Sequence, residues 1–133
     1  MAKVAIFEGS PLRWLEFDED TDVALEYLSK EEGTALNKDV EKIVNRTGSD
    51  WAGVWNRKLG ERVVKGWRNR NDTAQFGLTF PDGTPIPFTP ENRDMMMKSC
   101  REFALFVGEN AINAKVFLEL SNKPAETAEI KNG

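Results

Sequence analysis

The sequence predicts a mixed α+β domain. Three observations carry that expectation. Apolar and polar residues alternate in short runs between Leu12 and Leu28 and again from Phe76 to Phe80, the two-residue period of half-buried strands. Helix-capping residues stand before segments of helical period at Ser29, at Ser49-Asp50 and at Thr89-Pro90. Turn chemistry separates these runs at Gly9-Ser10-Pro11 and Pro81-Asp82-Gly83. The expected order is a small N-terminal antiparallel meander, two middle helices, a short hairpin and a long C-terminal helix. One domain would span residues 1–120, with a flexible polar tail over 121–133.

The meander begins with Lys3–Glu8, where Val4, Ala5, Ile6 and Phe7 suit a short strand. Leu12–Phe17 would be its second strand, with Trp14 on one face and Leu15 and Phe17 on the other. After the acidic turn Asp18–Asp22, Val23, Leu25 and Tyr27 would share a face of a third strand. A helix starting near Asp22 is the competing assignment. Ser29-Lys30-Glu31-Glu32 matches a capping box, so a helix should follow, with Leu36, Val40, Ile43 and Val44 at helical spacing, and stop by Thr47-Gly48.

Ser49 or Asp50 can cap the second helix. At about 100° per residue, Leu59, Val63, Val64 and Trp67 fall on one side of it. Arg57, Lys58, Glu61, Arg62, Lys65 and Arg68 fall on the other. A polar loop, Arg68–Asp72, leads to a strand with Phe76, Leu78 and Phe80 on its buried face. Pro85 and Pro87 restrict the returning segment to an edge or a bare connection. Thr89 then caps a helix with Pro90 at its first position. That helix carries Met96, Cys100, Phe103, Phe106 and Val107, and either breaks at Gly108 or runs on through Val116 and Leu118. Beyond Ser121 only Ile130 is bulky and apolar.

Composition narrows the function classes. Apolar residues make up 40% and charged residues 30%, which suits a globular chain rather than a disordered one. No apolar run is long enough to span a membrane, and the one before Glu8 is too short for a secretion signal. The 133 residues include one cysteine, Cys100, and no histidine. No histidine-based triad or histidine metal site can be built, and one cysteine forms no intrachain disulfide or thiolate zinc site. The starting expectation is therefore a binding or assembly protein without a cofactor, in a reducing cytoplasm. The net charge of −4 is unevenly spread. Residues 1–40 hold ten acids against four bases, and residues 51–70 six bases against one acid.

Several patterns invite a chemical role. Asp18, Glu19, Asp20 and Asp22 resemble a calcium loop in charge, but a loop starting at Asp18 would need glycine at Val23 and glutamate at Ser29. A solvated turn is the better reading. Glu31 and Glu32 are better explained by the capping box than by acid–base catalysis. Arg57, Lys58, Arg62, Lys65 and Arg68, with Trp55, Trp67 and Arg70 nearby, form the possible basic surface. Bases neutralise phosphates and aromatics stack on nucleobases. Trp67, however, falls on the apolar face, so a solvated or protein-facing surface is preferred over nucleic acid. Met95-Met96-Met97 covers most of a helix circumference, which puts Met96 in the core and at least one neighbour at the surface. Cys100, on the apolar face, reads as an inert core residue.

Four short segments resemble one family. Leu25–Glu32, Val63-Val64-Lys65-Gly66-Trp67, the turn Asp82–Asn92 and Phe103-Ala104-Leu105-Phe106-Val107 are similar, in that order, to motifs of the tail assembly chaperones of long-tailed bacteriophages. The resemblance covers residues 20 to 120. In this chain the polar loop Asn69–Asp72 stands where the family joins the tryptophan directly to the Asp-Gly turn. The resemblance implies a non-enzymatic protein of the host bacterial cytoplasm, and a homo-oligomer is compatible with it. It would bind the phage tape measure protein, keep that long apolar helix soluble and help recruit tail tube protein. Met95, Met96, Met97 and Phe106 are then the expected partner-binding residues. The rival expectations are a structural virion component, such as a tail-completion or head–tail connector protein, and a small nucleic-acid-binding regulator.

Overall fold

A computed structural model describes Phe7 and residues 9–121. The first expected strand, Lys3–Glu8, and the tail after Ser121 lie outside the described residues, apart from Phe7. The architecture is α+β. Among the described residues a three-stranded antiparallel sheet is ordered β1 (Leu12–Glu16), β2 (Thr21–Glu26) and β3 (Val64–Asn69). Five helices among them accompany it: α1 (Lys30–Thr47), α2 (Trp51–Val63), α3 (Pro90–Ser99), α4 (Arg101–Ala111) and α5 (Ala114–Ser121). Among the described residues no helix is long and apolar enough to cross a membrane.

The β1–β2 hairpin forms as the apolar alternation predicts, pairing Leu15 with Val23 and Trp14 with Ala24. Asp18 builds the turn. Its Oδ1 accepts the N–H groups of Asp20 at 2.9 Å and Thr21 at 2.8 Å. The sheet is completed from an unexpected place. The second helix ends at Val63, and Val64–Asn69 runs as β3 beside β2 rather than continuing the helix to Trp67. Helical spacing places Val64 and Trp67 on one face, whereas a regular strand would put them on opposite faces; the bulge at Lys65 turns both inward. Pairing with β2 decides the matter, because Val23 opposite Trp67 and Ala24 opposite Gly66 bury both partners. The register skips Lys65 between Ala24 and Leu25, a bulge that leaves Lys65 exposed while Val64 and Gly66 stay buried.

The sheet buries both faces at its centre. On one, Val23, Leu25, Val64 and Trp67 join Leu59 and Val63 of α2 and Phe103, Val107 and Ala111 of α4 in the main core. On the other, Trp14 lies over Gly66, and the guanidinium of Arg68 sits 4.0 Å from its ring centroid. The small residues Ala24 and Gly66, paired in register with each other, leave room for that indole.

The helix caps form as expected. The Ser29 hydroxyl accepts from the Glu32 N–H at 3.2 Å, and Glu32 Oε1 accepts from the Ser29 N–H at 3.3 Å. Gly48, at φ +72°, ends α1. Asp50 caps α2 by accepting from the Gly53 N–H at 2.9 Å, and Thr89 caps α3 by accepting from the Asn92 N–H at 3.0 Å.

The expected long C-terminal helix is three helices. Cys100 takes extended backbone angles, φ −108° and ψ 99°, and separates α3 from α4. Its N–H still closes α3 on Met96 O, and its carbonyl opens α4 by accepting from Ala104. The bend therefore costs few backbone hydrogen bonds. It lets α3 pack on α2 while α4 packs on both α2 and β2. A second break, at Ile112-Asn113, precedes α5.

The hairpin excursion closes through one bridge, Thr79 to Pro85, rather than through regular strands. Only Leu78 of the expected apolar trio is buried. Phe76 and Phe80 are each more than a third exposed. Gly77, at φ +83°, breaks the extended run and with it the alternation.

Candidate functional site: an apolar groove with an acidic rim

The groove is braced from Trp67. Its indole N–H donates to the Ile86 carbonyl at 2.8 Å. Its ring meets Phe88 and Phe103 edge-on, with centroids 4.9 and 5.7 Å away. These contacts hold the excursion against α4. Gly77 anchors the other end. Its carbonyl accepts from the Thr21 hydroxyl at 3.1 Å, and a Cβ on it would lie 2.9 Å from the Arg68 backbone. No other residue suits that close approach at positive φ.

Two depressions open beside this brace. One, of about 550 Å³, lies between the excursion and α3–α4, with Phe17, Leu78, Phe80, Ile86, Met95, Met96 and Cys100 on its walls. The other, of about 420 Å³, runs along α4 over Phe17, Leu105 and Phe106. They share Phe17, Asp18 and Glu102, so they form one continuous surface. Phe17 is its pivot, edge-on to Phe103 at 5.6 Å and to Phe106 at 5.2 Å. Leu105 stands 55% exposed on its lip. The charged side chains lining the groove are Asp18, Glu102 and Glu109, with no lysine or arginine among them. Among the described residues none of these three carboxylates forms an ion pair.

Of the expected partner-binding residues, Met95, Met96 and Phe106 meet here. Met97 does not. It is 1% exposed and packs on Gly60 of α2, where the two helices touch. Met96 is buried among its neighbours but still forms part of the groove wall. The sequence reading did not single out Phe17, Phe80 and Leu105, nor the rim acids Glu102 and Glu109. Leu105 lies two residues from Phe103 and Val107, off the buried face, and that helical spacing was a signal available in the sequence.

The expected basic face does not form. Arg57, Lys58 and Arg62 are on α2, whereas Lys65 and Arg68 are on β3, so one helix does not carry all five. Most are also engaged. Arg62 pairs with Glu32 and, at 3.3 Å, with Glu26. Lys65 reaches Glu26 at 3.4 Å and Lys58 reaches Glu61 at 3.5 Å. Arg68 is buried against Trp14. Arg57 is exposed, beside a shallow depression of about 1050 Å³ between α1, α2 and α3. Arg46, Lys58 and Lys98 share that lining with Asp50, Glu91 and Asp94, so it has no single sign.

The acidic turn is held by protein groups. Arg70 Nε donates to Asp22 Oδ1 at 2.8 Å, and its Nη atoms donate to the carbonyls of Glu19, Asp18 and Thr21. The bond to Asp22 raises the Arg70 pKa above its ordinary value. Among the described residues no three acidic or thiol side chains cluster as metal ligands would. Comparison with family models, curated proteins and solved structures finds no match to this chain.

Proposed function

We propose that the protein is a tail assembly chaperone of a long-tailed bacteriophage. It works in the host bacterial cytoplasm without catalysis, binds the tape measure protein and helps recruit tail tube subunits. The observation that carries this reading is the continuous apolar groove, lined in part by Met95, Met96 and Phe106, with room for apolar side chains of another chain. Adaptable thioether side chains beside rigid rings suit a partner whose sequence varies along its length. The resemblance lends support in a specific way. Trp67, the Ile86–Phe88 segment and Phe103 come from three of its motifs, and they pack together as the brace of the groove.

The test is co-expression with the long apolar helical product encoded beside it, followed by affinity capture and size exclusion. The expected result is a soluble complex with several copies of this chain per partner, and no copies in purified particles. An insoluble partner, with this chain retained in particles, would replace the chaperone with a structural virion protein.

A further inference from the structure

The groove carries charge as well as apolar surface. Three carboxylates line it, Asp18, Glu102 and Glu109, with no base among them. In water Glu102 and Glu109 are exposed, solvated and cost little, whereas Asp18 already accepts two backbone N–H groups and feels the charge of Arg70. A helix laid between them would displace part of that water, and each uncompensated carboxylate would then weaken binding. The chain's own clustered bases are poor candidates for compensation. Arg62, Lys65, Lys58 and Arg70 are already paired with Glu32, Glu26, Glu61 and Asp22. A second copy of this chain, itself at net charge −4, would bring more acid to an acidic rim.

We infer that the groove selects an amphipathic helix whose apolar stripe is flanked by lysine or arginine. Methionine and aromatic side chains on the walls take the stripe. The rim acids take the flanking bases and exclude helices with acidic flanks. This inference rests on the reading of the groove as the partner site and adds the partner's charge pattern to it. Selectivity of this kind comes as much from repelling the wrong helix as from attracting the right one.

The test uses the full chain and three labelled peptides of about 18 residues, roughly 27 Å as helix. They share one leucine–phenylalanine stripe and differ only in flanking lysine, glutamine or glutamate. Fluorescence anisotropy reads the affinities at low and high salt. The lysine peptide is expected to bind about tenfold more tightly than the glutamate peptide, with the gap closing at high salt. Glu102→Gln with Glu109→Gln should narrow the gap severalfold, weakening the lysine peptide and strengthening the glutamate peptide. Asp18 is left intact because it builds the β1–β2 turn. Equal affinity for all three peptides would overturn the charge inference and leave the groove reading standing. Binding of none would overturn both. A preference undiminished by the double substitution would overturn the assignment to Glu102 and Glu109.

Discussion

Arg70 ties four groups of the β1–β2 turn to the end of β3, and it comes from the polar loop that follows Trp67. Asp22, its partner, is only 7% exposed, so removing the guanidinium strands a nearly buried carboxylate. Arg70→Met should lower stability by about 2 kcal/mol, read from the denaturant midpoint. Arg70→Lys should recover little of it, because one ammonium cannot span the same fork. Asp82 gives a smaller and cleaner signal. The Thr84 N–H donates to its carboxylate at 2.9 Å and holds its pKa below the ordinary aspartate range. Its folded-state pKa is depressed, so the turn's stabilisation is present above the ordinary carboxylate range and is lost as pH falls through the lowered value. A carboxyl NMR titration should show Asp82 titrating below a model aspartate, and Thr84→Pro should abolish the shift. The Asp82-Gly83 turn was plain in the sequence. The Arg70 clasp was not, because it joins residues about fifty positions apart.

At the scale of elements, two glycines of one helix should behave oppositely. A Cβ at Gly53 would meet only Asp50 Oδ2, at 3.6 Å, an ordinary contact. Gly53→Ala should therefore stabilise the protein by up to about 1 kcal/mol. A Cβ at Gly60 would lie 2.6 Å from Met97 Cγ, close to the α3 backbone, so α2 and α3 must part. Gly60→Ala should destabilise by about 1 kcal/mol net of its helix propensity. Thermal unfolding of the two variants checks both signs. Helix starts were legible because Ser29, Asp50 and Thr89 act on amides three residues away. The end of α2 was not, because Val64 and Trp67 keep helical spacing and share a strand face only through the bulge at Lys65, which pairing with β2, some forty residues earlier, sets. The Cys100 bend was equally hidden. No proline or glycine marks it, and it turns α4 so that this helix meets β2 as well as α2.

Over the whole molecule, residues distant in sequence make the groove. Phe17 comes from the end of the first hairpin, Phe80 from the excursion, Met95 from α3 and Leu105 from α4. Met95, Met96 and Phe106 were expected to meet a partner, although helical spacing put Met96 in the core. Their meeting with Phe17 and Phe80 depends on the Trp67 brace and on Gly77, and no local period encodes that. Leu105→Ala with Phe80→Ala removes exposed apolar surface without emptying the core. It should weaken helix binding about tenfold or more and leave the unfolding midpoint nearly unchanged.

The four methionines give the groove its most direct test. With methyl-labelled methionine, titration of the lysine-flanked helix should move the Met95 and Met96 signals, which line the groove, and leave Met97, sealed against Gly60, in place. Saturable binding that shifts none of the groove methionines would contradict the account.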